Sequence, residues 1–113
     1  MAAMNPSCLD INERQEESFL RLSLVGELDF ASSPVLEDRL ARLRAKRTAV
    51  RLDLSRLEFI DSTGLRLLIR TFGDARTGGW KLEIDGHLSP TVRSLFKLVH
   101  FDHFVATGDT NGN

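Results

Sequence analysis

Asp61-Ser62-Thr63-Gly64 sets a carboxylate and two hydroxyls directly ahead of an apolar repeat, Leu65, Leu68, Ile69 and Phe72. Their spacing of i, i+3, i+4, i+7 predicts an amphipathic helix that starts at or beside Ser62. Two kinds of chemistry fit a serine in that place. As an N-cap its oxygen would accept a bond from a free backbone N–H, a task for which Asp61 and Thr63 are equally suited. As a phosphoacceptor its hydroxyl would stand on a loop, within reach of a kinase. A phosphate brings about −1.5 to −2 charge and three strong acceptor oxygens. The N–H groups and dipole of a helix N-terminus favour such a charge, while the neighbouring Asp61 repels it. The expected effect of phosphorylation is therefore a changed surface on an intact fold.

Other reactive groupings lack partners. His87, His100 and His103 show no metal-ligand spacing backed by carboxylates, and the single Cys8 excludes an internal disulfide and a cysteine zinc site. No Gly-x-Ser-x-Gly elbow surrounds Ser62, and no Gly-x-x-x-x-Gly-Lys loop is present to cradle a nucleotide. A binding protein without cofactor or metal is expected, not an enzyme. A weak nucleotide hydrolase is the enzymatic alternative, and it lacks both a phosphate loop and an acid–base pair.

Composition agrees with a small folded domain. The chain has 113 residues, 42% hydrophobic and 27% charged, with a net charge of −1. That balance draws it neither to nucleic acid nor to an anionic membrane. No apolar run approaches the roughly 20 residues of a spanning helix, and the first residues lack the pattern of a secretion signal. With one thiol, the expectation is a soluble cytoplasmic protein.

The elements that must position Ser62 follow from changes in hydrophobic period. Phe19, Leu20, Leu22, Leu24 and Val25 read as a strand, with a weaker strand over Cys8 to Glu13 able to pair with it. Gly26-Glu27-Leu28-Asp29 is expected to break that strand. Ser32 or Ser33, followed by Pro34, signals a helix start, and Leu36, Leu40 and Leu43 stack on one face. The basic run from Arg39 to Arg47 reads as a solvated helix face. Val50, Leu52 and Leu54 alternate as a strand ahead of the Ser62 helix. Gly78-Gly79 ends that helix, and Trp80, Leu82 and Ile84 form the next strand. Ser89-Pro90 opens a third helix carrying Val92, Leu95, Phe96 and Val99, with a last short strand at Phe101, Phe104 and Val105. The order β-β-α-β-α-β-α-(β) predicts an α/β domain, a mixed sheet of four to five strands packed with three or more helices. Residues 8–107 are expected to form it, between a flexible 1–7 and a disordered 108–113.

Asp53-Leu54-Ser55 followed by Phe59-Ile60-Asp61-Ser62-Thr63-Gly64-Leu65 resembles the signature of STAS domains in anti-sigma factor antagonists. Gly26-Glu27-Leu28-Asp29 resembles a second landmark of that family, and Ser89-Pro90-Thr91-Val92 with Leu95-Phe96 a third, in the same order. The resemblance implies that Ser62 is phosphorylated by an anti-sigma factor that is itself a serine kinase. The unphosphorylated form would bind that partner and free a sigma factor, and a phosphatase would reset the cycle. It also implies a recognition surface of Asp29, Asp61, Ser62, Thr63 and Gly64. The same domain occurs as a structural subunit of lipid-transport ATPase complexes and of stress-sensing assemblies, which is the alternative function.

Two departures stand out. Arg66 occupies a position where the family commonly has a small residue. It lies one turn after Ser62, where it could pair with a phosphate, obstruct a close partner, or remain a solvated arginine. The short polar tail also lacks the further helix of many relatives. Leu67 falls off the stripe of Leu65, Leu68, Ile69 and Phe72. It is expected to be at least partly exposed beside Ser62, as part of a docking surface.

Overall fold

A computed structural model describes residues 9–101. The elements run β1 (Leu9–Gln15), β2 (Leu20–Leu28), α1 (Ser33–Ala45), β3 (Val50–Ile60), α2 (Ser62–Gly78), β4 (Leu82–Ile84) and α3 (Pro90–Leu98). This is the mixed α/β fold anticipated from the sequence, with four strands and three helices among the described residues. The anticipated loose ends, Cys8, and a final strand through Phe104 and Val105 lie outside those residues.

The strands stand in the order β1-β2-β3-β4. β1 pairs antiparallel with β2 as a hairpin, while β2, β3 and β4 are parallel and joined through α1 and α2. Alternation decides which face is covered. Leu20, Leu22, Leu24, Val50, Leu52, Leu54, Leu82 and Ile84 are buried, whereas Arg21, Ser23, Arg51 and Asp53 between them are only half-buried. Leu36 and Leu40 of α1, Leu67, Leu68 and Phe72 of α2, and Val92 and Phe96 of α3 join the buried strand residues in one core. Phe101 completes it, its ring edge-on to Phe72 at 5.6 Å and to Phe96 at 4.9 Å. Such T-shaped pairs match ring edges to ring faces.

Strand β2 does not break at Gly26. It runs on to Leu28 through two register shifts against β3, between Ser23 and Val25 and between Gly26 and Glu27. At each shift β3 carries one extra residue, so the two shifts together restore the inward phase. Gly26 has φ 111, a conformation that a side chain at this position would strain. β3 is likewise continuous through Phe59 and Ile60, and Leu28 lies opposite Ile60. The C-terminal ends of β2 and β3 are therefore neighbours. The segment before α1 and the start of α2 emerge side by side, at the strand ends where open parallel sheets commonly bind their ligands.

Two helix starts differ in how far they meet expectation. Neither Ser32 nor Ser33 caps α1 through its side chain, and Ser32 is fully buried. Its hydroxyl donates to the Glu27 carbonyl and accepts from the Asp29 N–H, holding the loop rather than the helix. α3 follows the expected pattern, since Ser89 Oγ accepts from the Val92 N–H at 3.4 Å and donates to the Leu57 carbonyl at 2.8 Å. Trp80 packs just ahead of β4, its indole N–H donating to the Thr48 carbonyl.

Candidate functional site

Asp61 is the residue that assembles this end of the molecule. It is the N-cap of α2, in extended conformation, and its Oδ1 accepts from the Gly64 N–H at 2.9 Å. Its Oδ2 accepts from the Phe30 N–H at 3.1 Å, and its own N–H donates to the Leu28 carbonyl at 3.1 Å. One carboxylate thus ties the loop after β2 to the first turn of α2. Asp29 closes that loop from the other side, its Oδ1 accepting from the Ser32 N–H at 3.0 Å. This is an aspartate stabilising its own turn.

Gly64 is what lets the two segments touch. A Cβ at this position would sit 2.7 Å from both the Leu28 Cγ and the Leu28 carbonyl oxygen. No rotamer change relieves a clash with backbone, so only glycine permits this close approach. Gly64 is buried, and it serves the site by position rather than as exposed contact surface.

Ser62 is left outside these bonds. Because Asp61 holds the cap, Ser62 is the first residue of the helix proper and is exposed. Thr63 is half-buried beside it. Arg66 is exposed one turn on, where side chains four apart share a helix face. Among the described residues Arg66 has no hydrogen-bond or ion-pair partner. Arg70, a further turn along, is held at 2.9 Å by Glu37 of α1.

Leu67 overturns the expected helix face. It is buried at 4% exposure, whereas Ile69 of the predicted stripe is 42% exposed and Leu65 only partly covered. α2 buries Gly64, Leu67, Leu68, Phe72 and Ala75, an arc turned toward α1. The cause is packing on two sides, since α2 rests on β3 and β4 and also meets α1. Leu67 is therefore core and not an exposed docking residue. It lies in the wall of a groove of about 400 Å³ between α1 and α2, with Phe30, Pro34, Thr63 and Arg66. Phe30 was missed in the sequence. It is 78% exposed next to the Asp61 contact, and Phe59 at the end of β3 is 46% exposed. A phenylalanine directly after the Gly26 to Asp29 landmark was the available signal.

Among the described residues no group of His, Cys, Asp and Glu could hold a metal ion, and no helix is long and apolar enough to cross a membrane. The site offers a hydroxyl, an unpaired guanidinium and exposed aromatic surface, which suits contact with another macromolecule.

Known proteins share this fold. The chain is 29% identical over 90 residues to the anti-sigma-B factor antagonist of Bacillus subtilis (strain 168), covering 80% of this chain and 82% of that one. The crystal structure of an anti-sigma factor antagonist from Mycobacterium paratuberculosis superposes with a TM-score of 0.76 at 23% identity, covering 91% of this chain and 87% of that one. The Bacillus cell fate determinant SpoIIAA in its phosphorylated form superposes with a TM-score of 0.67 at 17% identity, covering 86% and 89%. The family described as "Mlab, STAS domain" matches residues 11–106. That span includes the strand ends, the Asp61 cap and Ser62, and the chain belongs to the STAS domain family.

Proposed function

We propose that this protein is an anti-sigma factor antagonist whose unphosphorylated form docks an anti-sigma factor with serine-kinase activity through the surface around Ser62. Phosphorylation of Ser62 ends the contact, and a phosphatase restores it. The observation that carries this reading is the division of labour at the start of α2. Asp61 takes the capping bonds, so the Ser62 hydroxyl has no structural task and faces solvent. Thr63 and Arg66 follow it on the helix, Asp29 lies on the adjoining loop, and Phe30 adds exposed apolar surface.

A charge placed at the centre of such a contact is a sufficient switch. Like charges brought together at an interface cost several kcal/mol, enough to release a partner. The same charge lies at the N-terminus of α2, where it leaves the helix intact. The anti-sigma-B factor antagonist of Bacillus subtilis supports the reading, as does the phosphorylated form of SpoIIAA, which shares the fold. The protein acts by binding, with no catalytic step of its own.

A pull-down from native lysate, comparing wild type with Ser62→Asp, tests the proposal. Wild type is expected to capture a serine kinase of the anti-sigma type, and Ser62→Asp to lose it. Equal capture of transporter or scaffold components by both proteins would replace this reading with that of a structural subunit of a lipid-transport ATPase complex or stress-sensing assembly.

A further inference from the structure

We propose that Arg66 is an intramolecular clamp for a phosphate on Ser62, so that the modified state is a closed ion pair on the surface of α2. The proposal rests on Ser62 being the phosphoacceptor and adds how its phosphate is held. Three observations support it. Ser62 and Arg66 are both exposed and lie four residues apart on one helix, which sets their Cβ atoms about 5–6 Å apart. An arginine fork reaches across that gap and matches phosphate oxygens with two parallel N–H donors. Arg66 also has no competing partner among the described residues, whereas the next arginine along the helix, Arg70, is engaged by Glu37.

The surrounding charges make such a clamp useful. A phosphate at Ser62 would stand next to the Asp61 carboxylate, with Asp29 on the adjoining loop and Glu37 across the groove. The Asp61 carboxylate is already bonded to two backbone N–H groups, the Gly64 N–H and the Phe30 N–H. Among the described residues Arg66 is the one unpaired cation in the wall of that groove. Folding it over the phosphate offsets the repulsion from Asp61. It also withdraws from the groove a guanidinium that an acidic partner would otherwise meet. Phosphorylation then changes the docking face twice, by the charge it adds and by the cation it sequesters.

The test installs phosphoserine at residue 62 during translation through an expanded genetic code, so no kinase is required. The phosphate is titrated by phosphorus NMR in this protein and in its Arg66→Gln and Arg66→Lys counterparts. An adjacent guanidinium favours the dianion, so the second ionisation should fall a few tenths of a pH unit lower with Arg66 in place than in the Arg66→Gln protein. Arg66→Lys should lie between the two, and high salt should shrink the difference. Superimposable titrations of the native-Arg66 and Arg66→Gln proteins would overturn the clamp while leaving Ser62 as acceptor. Conversely, partner capture that ignores Ser62→Asp would defeat the acceptor reading and leave a measured titration difference standing.

Discussion

Asp61 and Asp85 are each the first residue after a parallel strand, yet they organise opposite kinds of surface. Asp85 is buried at 6% exposure and gathers charge. Its Oδ2 accepts from Arg21 at 2.8 Å, and its Oδ1 lies 2.8 Å from the His87 ring and 3.1 Å from the His87 N–H. Arg21 in turn reaches Glu16 at 3.1 Å and Asp53 at 3.6 Å, and its guanidinium lies over the Phe19 ring. Asp61 accepts only from backbone N–H groups, and its neighbours Ser62 and Arg66 remain unpaired among the described residues. Where polar groups satisfy one another they specify the fold. Where a framework is satisfied and its neighbours are not, the leftover groups are free to meet a partner.

The largest expected effect comes from breaking the close approach that builds the unpaired site. Gly64→Ala drives a methyl against the Leu28 carbonyl, and overpacking against backbone should cost about 3 kcal/mol. Urea denaturation should show the loss, together with weakened partner capture, because the start of α2 must move off β2. A stability near wild type would mean that the two segments are not in contact.

Asp61→Ala should follow, at about 2 kcal/mol, from the lost cap and the Phe30 N–H left without its acceptor. Asp61→Asn keeps an acceptor oxygen and should cost visibly less. If the two variants proved equally stable, the carboxylate would not be the tie between loop and helix.

Asp85 offers a contrasting test, through pH. Burial pushes its carboxyl up, but the bonds from Arg21 and His87 outweigh burial and hold its pKa down at about 2, below the ordinary 3.8. A depressed folded-state pKa contributes stability that is fully present above about pH 4 and is lost as pH falls toward 2. Asp85→Asn should therefore lower stability at neutral pH by roughly 1–2 kcal/mol and flatten the acid limb of the stability curve. An unchanged acid limb would place the acid sensitivity elsewhere. Glu16, also lowered by Arg21 and then Arg14, is the next carboxylate to test.

The contrast between the two aspartates also explains what was legible in the sequence. Local signals carried the element order, the Ser89 cap, the Asp61-Ser62 placement and the alternation of strand faces, because each depends on residues a few positions apart. Leu67 and Ile69 exchanged roles because a second neighbour, α1, rotates the buried arc of α2, and no single-helix pattern records that neighbour. The continuation of β2 through Gly26 was hidden by paired register shifts, which disrupt alternation and then restore it. Ser32 looked like a cap because its type fits one, while its actual bonds run back to Glu27 and Asp29. The Arg21–Asp85 pair joins residues 64 apart, a distance across which no motif speaks.

Ser62→Ala carries the smallest expected change in stability and the sharpest meaning. Serine to alanine at a true N-cap costs typically about 1 kcal/mol, because a helix N–H loses its acceptor. Here the Gly64 N–H is satisfied by Asp61, so removing the Ser62 hydroxyl should leave stability within about 0.5 kcal/mol of wild type. Under the proposed function, the same variant should lose all phosphate incorporation by the partner kinase. A loss near 1 kcal/mol would mean that the two residues share the cap in solution, and the division between a satisfied Asp61 and a free Ser62 would fail. Unchanged stability with abolished phosphorylation would separate the two roles within one pair of adjacent residues, the aspartate holding the helix and the serine available to the kinase.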